Sequence, residues 1–506
     1  MHTLTELWNR AAEEHAQSVA AIDAGQQFTY SDLDRMIAGF AGALRRQLGI
    51  SPGDRVGLIM PNCVHSISCY LGTVRAGAIA LPVNIRLKAE EMAFILKDAG
   101  VRSLVVDRRV WPTVWEAVGE LEGVTHIIGI DVHQPTVMPL DEVYQHEPLR
   151  QSPPASADDV AAIIYTSGTT GLPKGAMITH GNIVFNVQST IAGHGFRPDD
   201  RHMLVVPLFH VTGLNTIMPT AFHQGASVVI SADANPSVVM KLVAQWRATT
   251  FFGVPTTMIL LAQTPGITAL DWSSLRLIAY SGAPMPVRAI EKLRDLFPGV
   301  RLHNFFGLTE TTSVTTVLED EQALARPDSV GRAVPGLQLG IVDDDGAMLP
   351  PGQVGELVVK GPSVVKGYYN RPEATQEAIR DGWLHTGDNA YLDDEGYLFL
   401  QGRKKEMIIV AGENVYPVEV ENVLTRHPAV AEAAVIGAPH AVLGEVVKAV
   451  VVLVEGAKAD ELSIKRHCAQ HLASFKTPQI VEFADALPRN PSGKVVKRRL
   501  TGDASH

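Results

Sequence analysis

Apolar side chains recur at Leu33, Ile37, Phe40, Leu44 and Leu48. Steps of three and four residues put them on one face of an α-helix. Ser31 is the expected cap of that helix and Gly49 its expected end. A shorter stripe, Leu4, Leu7, Trp8 and Ala11, predicts an amphipathic helix over residues 3–15. Apolar runs at 55–60, 78–83 and 103–107 read as buried strands, and helical spacing at 64–74 and 90–97 fills the gaps between them. Such alternation predicts a parallel sheet wrapped by helices. Further strands are expected at 201–207, 226–230 and 275–281, with a Pro/Ser/Ala-rich linker over 146–159. The last hundred residues follow a different pattern: helix 419–427, strands 431–436 and 448–454, helix 462–472. The expected fold class is therefore a large N-terminal α/β domain with helix-covered sheets, followed by a small α+β C-terminal domain. The polar break Gly402-Arg403-Lys404-Lys405 divides them. This places the domains at 1–402 and 406–506, with 403–405 as the joint.

Composition narrows the function more than the fold. A chain of 506 residues exceeds one ordinary core, and 46% apolar residues support packed domains. A net charge of −11 disfavours nucleic acid as a main partner. Cys63, Cys69 and Cys468 make neither a disulfide framework nor a zinc spacing, which fits a reducing, cytoplasmic compartment. Glu6, Glu13 and Glu14 interrupt the N-terminus, so no signal peptide is expected there. No apolar run reaches the roughly 20 residues of a membrane span, so no integral membrane segment is expected. A homodimer is the default expectation for the oligomeric state.

The chemistry starts where the apolar run 160–165 passes into Thr166-Ser167-Gly168-Thr169-Thr170-Gly171-Leu172-Pro173-Lys174-Gly175. Glycines let backbone N–H groups approach an anion, hydroxyls add donors, and Lys174 adds charge. The loop is built to grip a phosphate chain, yet it lacks the Gly-Lys-Ser/Thr of the common P-loop. Taken with its flanks it closely resembles the phosphate loop of the adenylate-forming superfamily, which includes acyl-CoA synthetases, luciferases and peptide-synthetase adenylation domains. Four later segments resemble that family in the same order: Asn304-Phe305-Phe306-Gly307-Leu308-Thr309-Glu310, Gly382-Trp383-Leu384-His385-Thr386-Gly387-Asp388, Gly402-Arg403-Lys404-Lys405-Glu406 and Pro488-Arg489-Asn490-Pro491-Ser492-Gly493-Lys494.

The resemblance implies an ATP-dependent, AMP-forming acyl-CoA synthetase using ATP, Mg and coenzyme A. Thr166, Ser167, Gly168, Thr169, Thr170, Gly171 and Lys174 would hold the phosphates. Thr309 would add a hydroxyl, and Glu310 would hold the magnesium that rides on them. Gly282, Ala283, Asn304, Phe305, Phe306 and Gly307 would meet adenine. Phe306 stands where relatives commonly have Tyr, which keeps a stacking surface and loses a hydroxyl. Asp388 and Arg403 would take the ribose. Lys494 would drive adenylation, because a carboxylate attacking the α-phosphate brings two anions together. Lys405 falls at the family's hinge, about which a mobile C-terminal domain would rotate between two half-reactions. Ala411 and Gly412 would then line the thiol's tunnel. His210, in Leu208-Phe209-His210-Val211-Thr212-Gly213, stands at the gate of the acyl pocket, with Phe185, Val211, Phe252, Ser281, Thr312 and Ser313 as walls. Those walls are mainly apolar and carry no cation for a second carboxylate, so a hydrophobic monocarboxylic acid is expected. Medium- or long-chain fatty acids rank ahead of aryl acids. Coenzyme A contacts are weaker in outline: only Lys476 is basic in Phe475-Lys476-Thr477-Pro478-Gln479, and Leu443 replaces an adenine-stacking tryptophan of some relatives. The competing readings are an acyl-AMP ligase loading a carrier-protein thiol, a non-catalytic acyl-nucleotide sensor, and a luciferase-like monooxygenase. Retention of Lys494, Glu310 and Asp388 weighs against the sensor.

Overall fold

Thr29, not Ser31, starts the long helix. The helix runs Tyr30–Arg46, with the Thr29 hydroxyl accepting from Asp32 N–H and the Asp32 carboxylate accepting from Thr29 N–H. That reciprocal capping box satisfies two otherwise orphaned donors, an arrangement Ser31 could not reach from inside the first turn. At the other end Gln47 is the cap, and Gly49 sits beyond it in the left-handed region. The first helix is Leu4–Glu14, capped by the Thr3 hydroxyl. The structure, a computed structural model, describes residues 1–119, 123–166, 172–282, 285–410, 413–440, 443–490 and 494–501.

Two large sheets form most of the first four hundred residues. Strands Arg55–Ile59, Ile79–Pro82, Ser103–Asp107 and His126–Ile130 pair in parallel, as the alternation predicts. Strand Val160–Thr166 joins Ile79–Pro82 in parallel and carries Lys174–Thr179 antiparallel on its far side. The second sheet orders Thr316–Leu318, Arg301–Phe306, Leu277–Tyr280, Thr250–Gly253, Arg201–Leu204 and Ser227–Ile230 side by side. It ends on a hairpin the apolar pattern did not reveal, Val19–Asp23 with Gln26–Thr29. These strands are short, and half of Gln26–Thr29 is exposed, so their alternation is weak.

A third sheet pairs Gln338–Val342, Gly355–Lys360, Trp383–Leu392 and Leu398–Arg403 antiparallel. One core cluster runs from Leu4 to Leu398 and draws on all three sheets. After residue 406 a separate core forms around Ile408, Val415, Val420, Leu424, Val435, Val451, Ile464 and Cys468. Its strands Val430–His440 and Gly444–Leu453 are longer than expected from sequence and pair antiparallel, with helices Pro417–Thr425 and Glu461–His471 packed on them. Parallel sheets bind ligands at the carboxyl ends of their strands. Thr166, Gly253, Tyr280 and Phe306 end four such strands, and they fix where the site is built.

Candidate active site

Glu310 lies at the centre of the arrangement. It sits in a single 3₁₀ turn, Thr309–Thr311, directly after the Arg301–Phe306 strand. Its Oε1 accepts from the Tyr368 hydroxyl at 2.9 Å and from the Thr166 hydroxyl at 3.4 Å. Its backbone carbonyl accepts from Val365 N–H, which ties the turn to the Tyr368 segment. Lys174, opposite Thr166 in the hairpin register, stands 5.2 Å from the centre of the Tyr368 ring. Burial, with the Glu310 charge beside it, pushes the Tyr368 hydroxyl up, so it remains a donor to that carboxylate. Tyr368 had no signal in the sequence reading: it follows Gly367 outside any periodic segment. Ser167, Gly168, Thr169, Thr170 and Gly171 lie outside the described residues, as do Ala283, Ala411 and Gly412.

Gly307 sets the turn. A Cβ there would fall almost on the Ser313 carbonyl oxygen. The chain doubles back behind it through Thr312 and Ser313, both at positive φ (55° and 94°). Non-glycine residues in this region store strain, which structures tolerate mostly at functional sites. Thr312 Oγ1 donates to Ser363 O at 2.8 Å, and the Ser313 and Thr212 hydroxyls meet at 3.1 Å. Thr212 thus joins the acyl-gate segment to this turn.

Asp388 and Arg403 face each other across the Trp383–Leu392 and Leu398–Arg403 pair, Nε to Oδ1 at 2.8 Å. Arg403 also donates to Thr386 O at 3.1 Å. Burial raises the Asp388 carboxyl to about 6, against the pull of Arg403 and Lys494. Because the folded-state value lies above the ordinary carboxylate range, Asp388 favours folding below that range and loses that contribution as pH rises through about 6. Its charged form is the better acceptor for ribose hydroxyls. The kcat/KM for ATP is therefore expected to fall as pH drops through about 6. That inflection should be missing in Asp388→Asn, and steady-state pyrophosphate release between pH 5 and 8 checks it.

Lys494 reaches this site from the C-terminal unit. Asn490 N–H donates to Lys494 O at 2.8 Å, and Lys494 N–H donates to Asn490 Oδ1 at 2.9 Å. Lys494 is exposed to water. The protein mass around it, then Arg403, lower its proton affinity, while Asp388 and Glu310 raise it. Lys494 also lies close enough to His210 to act on it. Burial first, then Lys494 and Arg86, pull His210 down to about 4, so it is neutral at physiological pH. The C-terminal unit is held in place by Arg288, which donates to the carbonyls of Arg426, His427 and Pro428, and by an Arg426–Asp328 pair at 2.6 Å. Between the units, Lys405 is exposed while its neighbours are anchored to opposite sides. Lys404 pairs with Asp344 at 2.8 Å, and Glu406 pairs with Lys497 at 3.2 Å.

The remaining sequence-predicted residues divide by strand alternation. Phe305 is buried against Phe252, 5.9 Å between ring centres, so it belongs with the acyl walls. Phe306 points the other way and is half-buried. Asn304 is buried and donates to Ser329 O, leaving its Oδ1 for another partner. Gly282 holds φ +91° after Ser281, whose N–H donates to Gly253 O. Val211 is buried, and Phe185 lies half-buried against Gly336. Lys476, proposed from sequence for coenzyme A, pairs with Glu419 at 2.7 Å.

Comparison with known proteins places this geometry. The model of the AMP-binding enzyme family matches residues 8–369, and that of the AMP-binding enzyme C-terminal domain matches residues 419–494. The chain is 36% identical over 489 residues to a feruloyl-CoA synthase of Amycolatopsis sp., covering 96% of each. It is 35% identical over 535 residues to a long-chain-fatty-acid–CoA ligase of Salmonella typhimurium, covering 99% of this chain and 94% of the relative. Among solved structures, an anthranilate CoA ligase in complex with anthranoyl-AMP superposes with a TM-score of 0.91 at 27% identity, covering 98% of this chain and 96% of that one.

Proposed function

We propose, from the premise that the chain belongs to the AMP-binding enzymes and is an AMP-forming acid–thiol ligase, that it converts a hydrophobic monocarboxylic acid to its CoA thioester through an acyl-adenylate. One observation carries the reading of the site. Asp388 and Arg403 pair at 2.8 Å, and Lys494, from the C-terminal unit, lies within electrostatic reach of Asp388, Arg403, Glu310 and His210.

In the first half-reaction the acid's carboxylate oxygen attacks the α-phosphorus of ATP, and the bond to the β-phosphate oxygen breaks to release pyrophosphate. No general base is needed, because the acid is already ionised at neutral pH. Lys494 stands where its ammonium offsets the repulsion between carboxylate and phosphate. Asp388 and Arg403 hold the ribose, and Thr166 and Lys174 the phosphates. Among the described residues no cluster of three or more metal ligands occurs. A single carboxylate fits Mg²⁺, which takes its remaining oxygens from phosphates and water, and Glu310 would hold it. Magnesium supplies charge neutralisation of the departing phosphates.

In the second half-reaction the CoA thiol, giving up its proton, displaces AMP from the acyl carbon. The nearness of Lys494 to Asp388, Arg403 and Glu310 supports reading the present pose as the adenylating one. Rotation about Lys405 would then withdraw Lys494 and bring Ala411 and Gly412 to the thiol. The relatives' names span an aryl acid and long-chain fatty acids, so they support the reaction more than the particular acid. No helix among the described residues is long and apolar enough to cross a membrane.

The test is pyrophosphate release over a panel of fatty, benzoic, cinnamic, dicarboxylic and amino acids, with and without CoA. Turnover that requires CoA and peaks on one class of monocarboxylic acid is the expected result. A single burst unaffected by CoA would favour a carrier-protein thiol as acceptor, and silence on every acid would sink the synthetase reading.

A further inference from the structure

Glu310 and Lys174 both neighbour the Tyr368 ring with opposite charges, and they do not pair. Among the described residues Lys174 makes no salt bridge, and its ammonium lies over the face of the Tyr368 ring, 5.2 Å from the centre. That is cation–π distance. The hydroxyl of the same ring donates to Glu310 Oε1 at 2.9 Å. The Thr166 hydroxyl donates to that oxygen too, at 3.4 Å, so Oε2 accepts no hydrogen bond among the described residues. One tyrosine thus meets both charges, the cation with its face and the carboxylate with its tip.

The backbone that carries Tyr368 is fixed to both of their elements. Strand Lys174–Thr179 has Val160–Thr166 along one edge, and residues 366–369 close the other. Lys366 N–H donates to Met177 O at 3.0 Å, Met177 N–H to Gly367 O at 2.9 Å and Tyr369 N–H to Gly175 O at 2.8 Å. Val365 N–H donates to Glu310 O at 3.0 Å, which binds the same segment to the 3₁₀ turn. Tyr368 N–H donates to Thr375 Oγ1 at 2.9 Å, in helix Pro372–Ala378. Tyr368 is therefore held by the strand that carries Lys174 and by the turn that carries Glu310, and its side chain spans the gap between them.

Resting on the synthetase reading, we infer that Tyr368 is a positioning residue that keeps Glu310 and Lys174 apart and aims Glu310 Oε2 at the cation carried by ATP. Without the ring, the ammonium and the carboxylate would attract each other across the space it leaves and close on themselves. Lys174 would then be lost to the phosphates and Glu310 to the metal. With the ring in place each charge rests against a neutral group and stays available to its ligand. The hydroxyl has a separate task. A carboxylate swings about its last bond unless one oxygen is tied, and groups that orient a metal ligand in this way are worth about 10–100-fold in metal affinity or activity.

The experiment measures ATP binding by calorimetry with no acid present, in EDTA and in magnesium chloride, for the wild type, Glu310→Gln, Tyr368→Phe and Tyr368→Leu. The readout is the factor by which magnesium tightens binding. Tyr368→Phe keeps the ring and loses the hydroxyl. It should lower that factor by about tenfold and leave the affinity in EDTA near the wild-type value. Tyr368→Leu also removes the ring, so binding in EDTA should weaken as well, and adding Glu310→Gln should restore it by freeing Lys174. A purely structural role would lower the melting temperature and both affinities together without moving the factor, and that result overturns the inference. A wild-type factor in Tyr368→Phe, where Glu310→Gln has lost it, overturns the inference and leaves the synthetase reading intact. If Glu310→Gln itself keeps the factor, Glu310 does not hold the metal, and the assignment of Glu310 falls with the inference. A wild type that binds no ATP overturns the synthetase reading too.

Discussion

Lys494→Ala is expected to slow adenylate formation by about 10²–10³-fold, the usual cost of removing one preorganised charge or donor from a transition state. The same protein, supplied with acyl-AMP and CoA, should still form thioester. The asymmetry follows from geometry. In the present pose Arg403, Asp388 and Glu310 lie close enough to act on the Lys494 charge, and the proposed reading puts that ammonium between carboxylate and α-phosphate. In the second half-reaction the thiol attacks the carbonyl carbon of the acyl-adenylate and AMP leaves, so no carboxylate has to approach a phosphate. Lys494→Arg should rescue only weakly, because a planar guanidinium delocalises its charge and needs more room than an ammonium. The decisive measurement is the pair of half-reactions on one preparation: pyrophosphate release from acid and ATP, and thioester formation from acyl-AMP. Equal loss in both would mean that the substitution had disturbed the cleft as a whole, and Lys494 would lose its assigned role.

The two halves of that argument were legible to different degrees. Lys494, Glu310, Asp388 and Arg403 stand out in the sequence only because their segments resemble those of the adenylate-forming family, and the fold brings their charges within reach of one another. The alternation of the first hundred residues gave the parallel sheet because buried strands there are continuous apolar runs. Tyr368 left no such trace, since a tyrosine pair after a glycine, Gly367-Tyr368-Tyr369, looks like any aromatic loop. The partner it finds, Glu310, is 58 residues away in sequence. The helix start was misplaced because Thr29 and Ser31 are equally good caps by type. Each has an aspartate three positions on; what decides is that Asp32 reaches back to the Thr29 N–H, whereas Asp34 turns to Trp8 and Arg75.

Gly307→Ala should be the most damaging single methyl in the site. The added carbon would land on the Ser313 carbonyl oxygen and lie 3.2 Å from Val314 N. That carbonyl has nowhere to go. Ser313 N–H is bonded to Leu308 O, Thr315 N–H to Phe306 O, and Thr312 Oγ1 to Ser363 O, while Thr312 and Ser313 already occupy the left-handed region. Relief requires moving the whole turn, and the turn carries Glu310. Overpacking of this kind costs about 1–3 kcal/mol, occasionally more, and displacing a positioning group by about 1 Å can cost about 10²-fold in rate. Gly346→Ala separates clash from backbone strain. Gly346 holds φ +84° with open space around its missing Cβ. It should lose about 1–2 kcal/mol from the left-handed conformation alone and keep its adenylation rate. Thermal unfolding and pyrophosphate release on the two variants test this directly. If Gly307→Ala matches Gly346→Ala in rate, the turn is more yielding than its hydrogen bonds imply, and Glu310 is not held by Gly307.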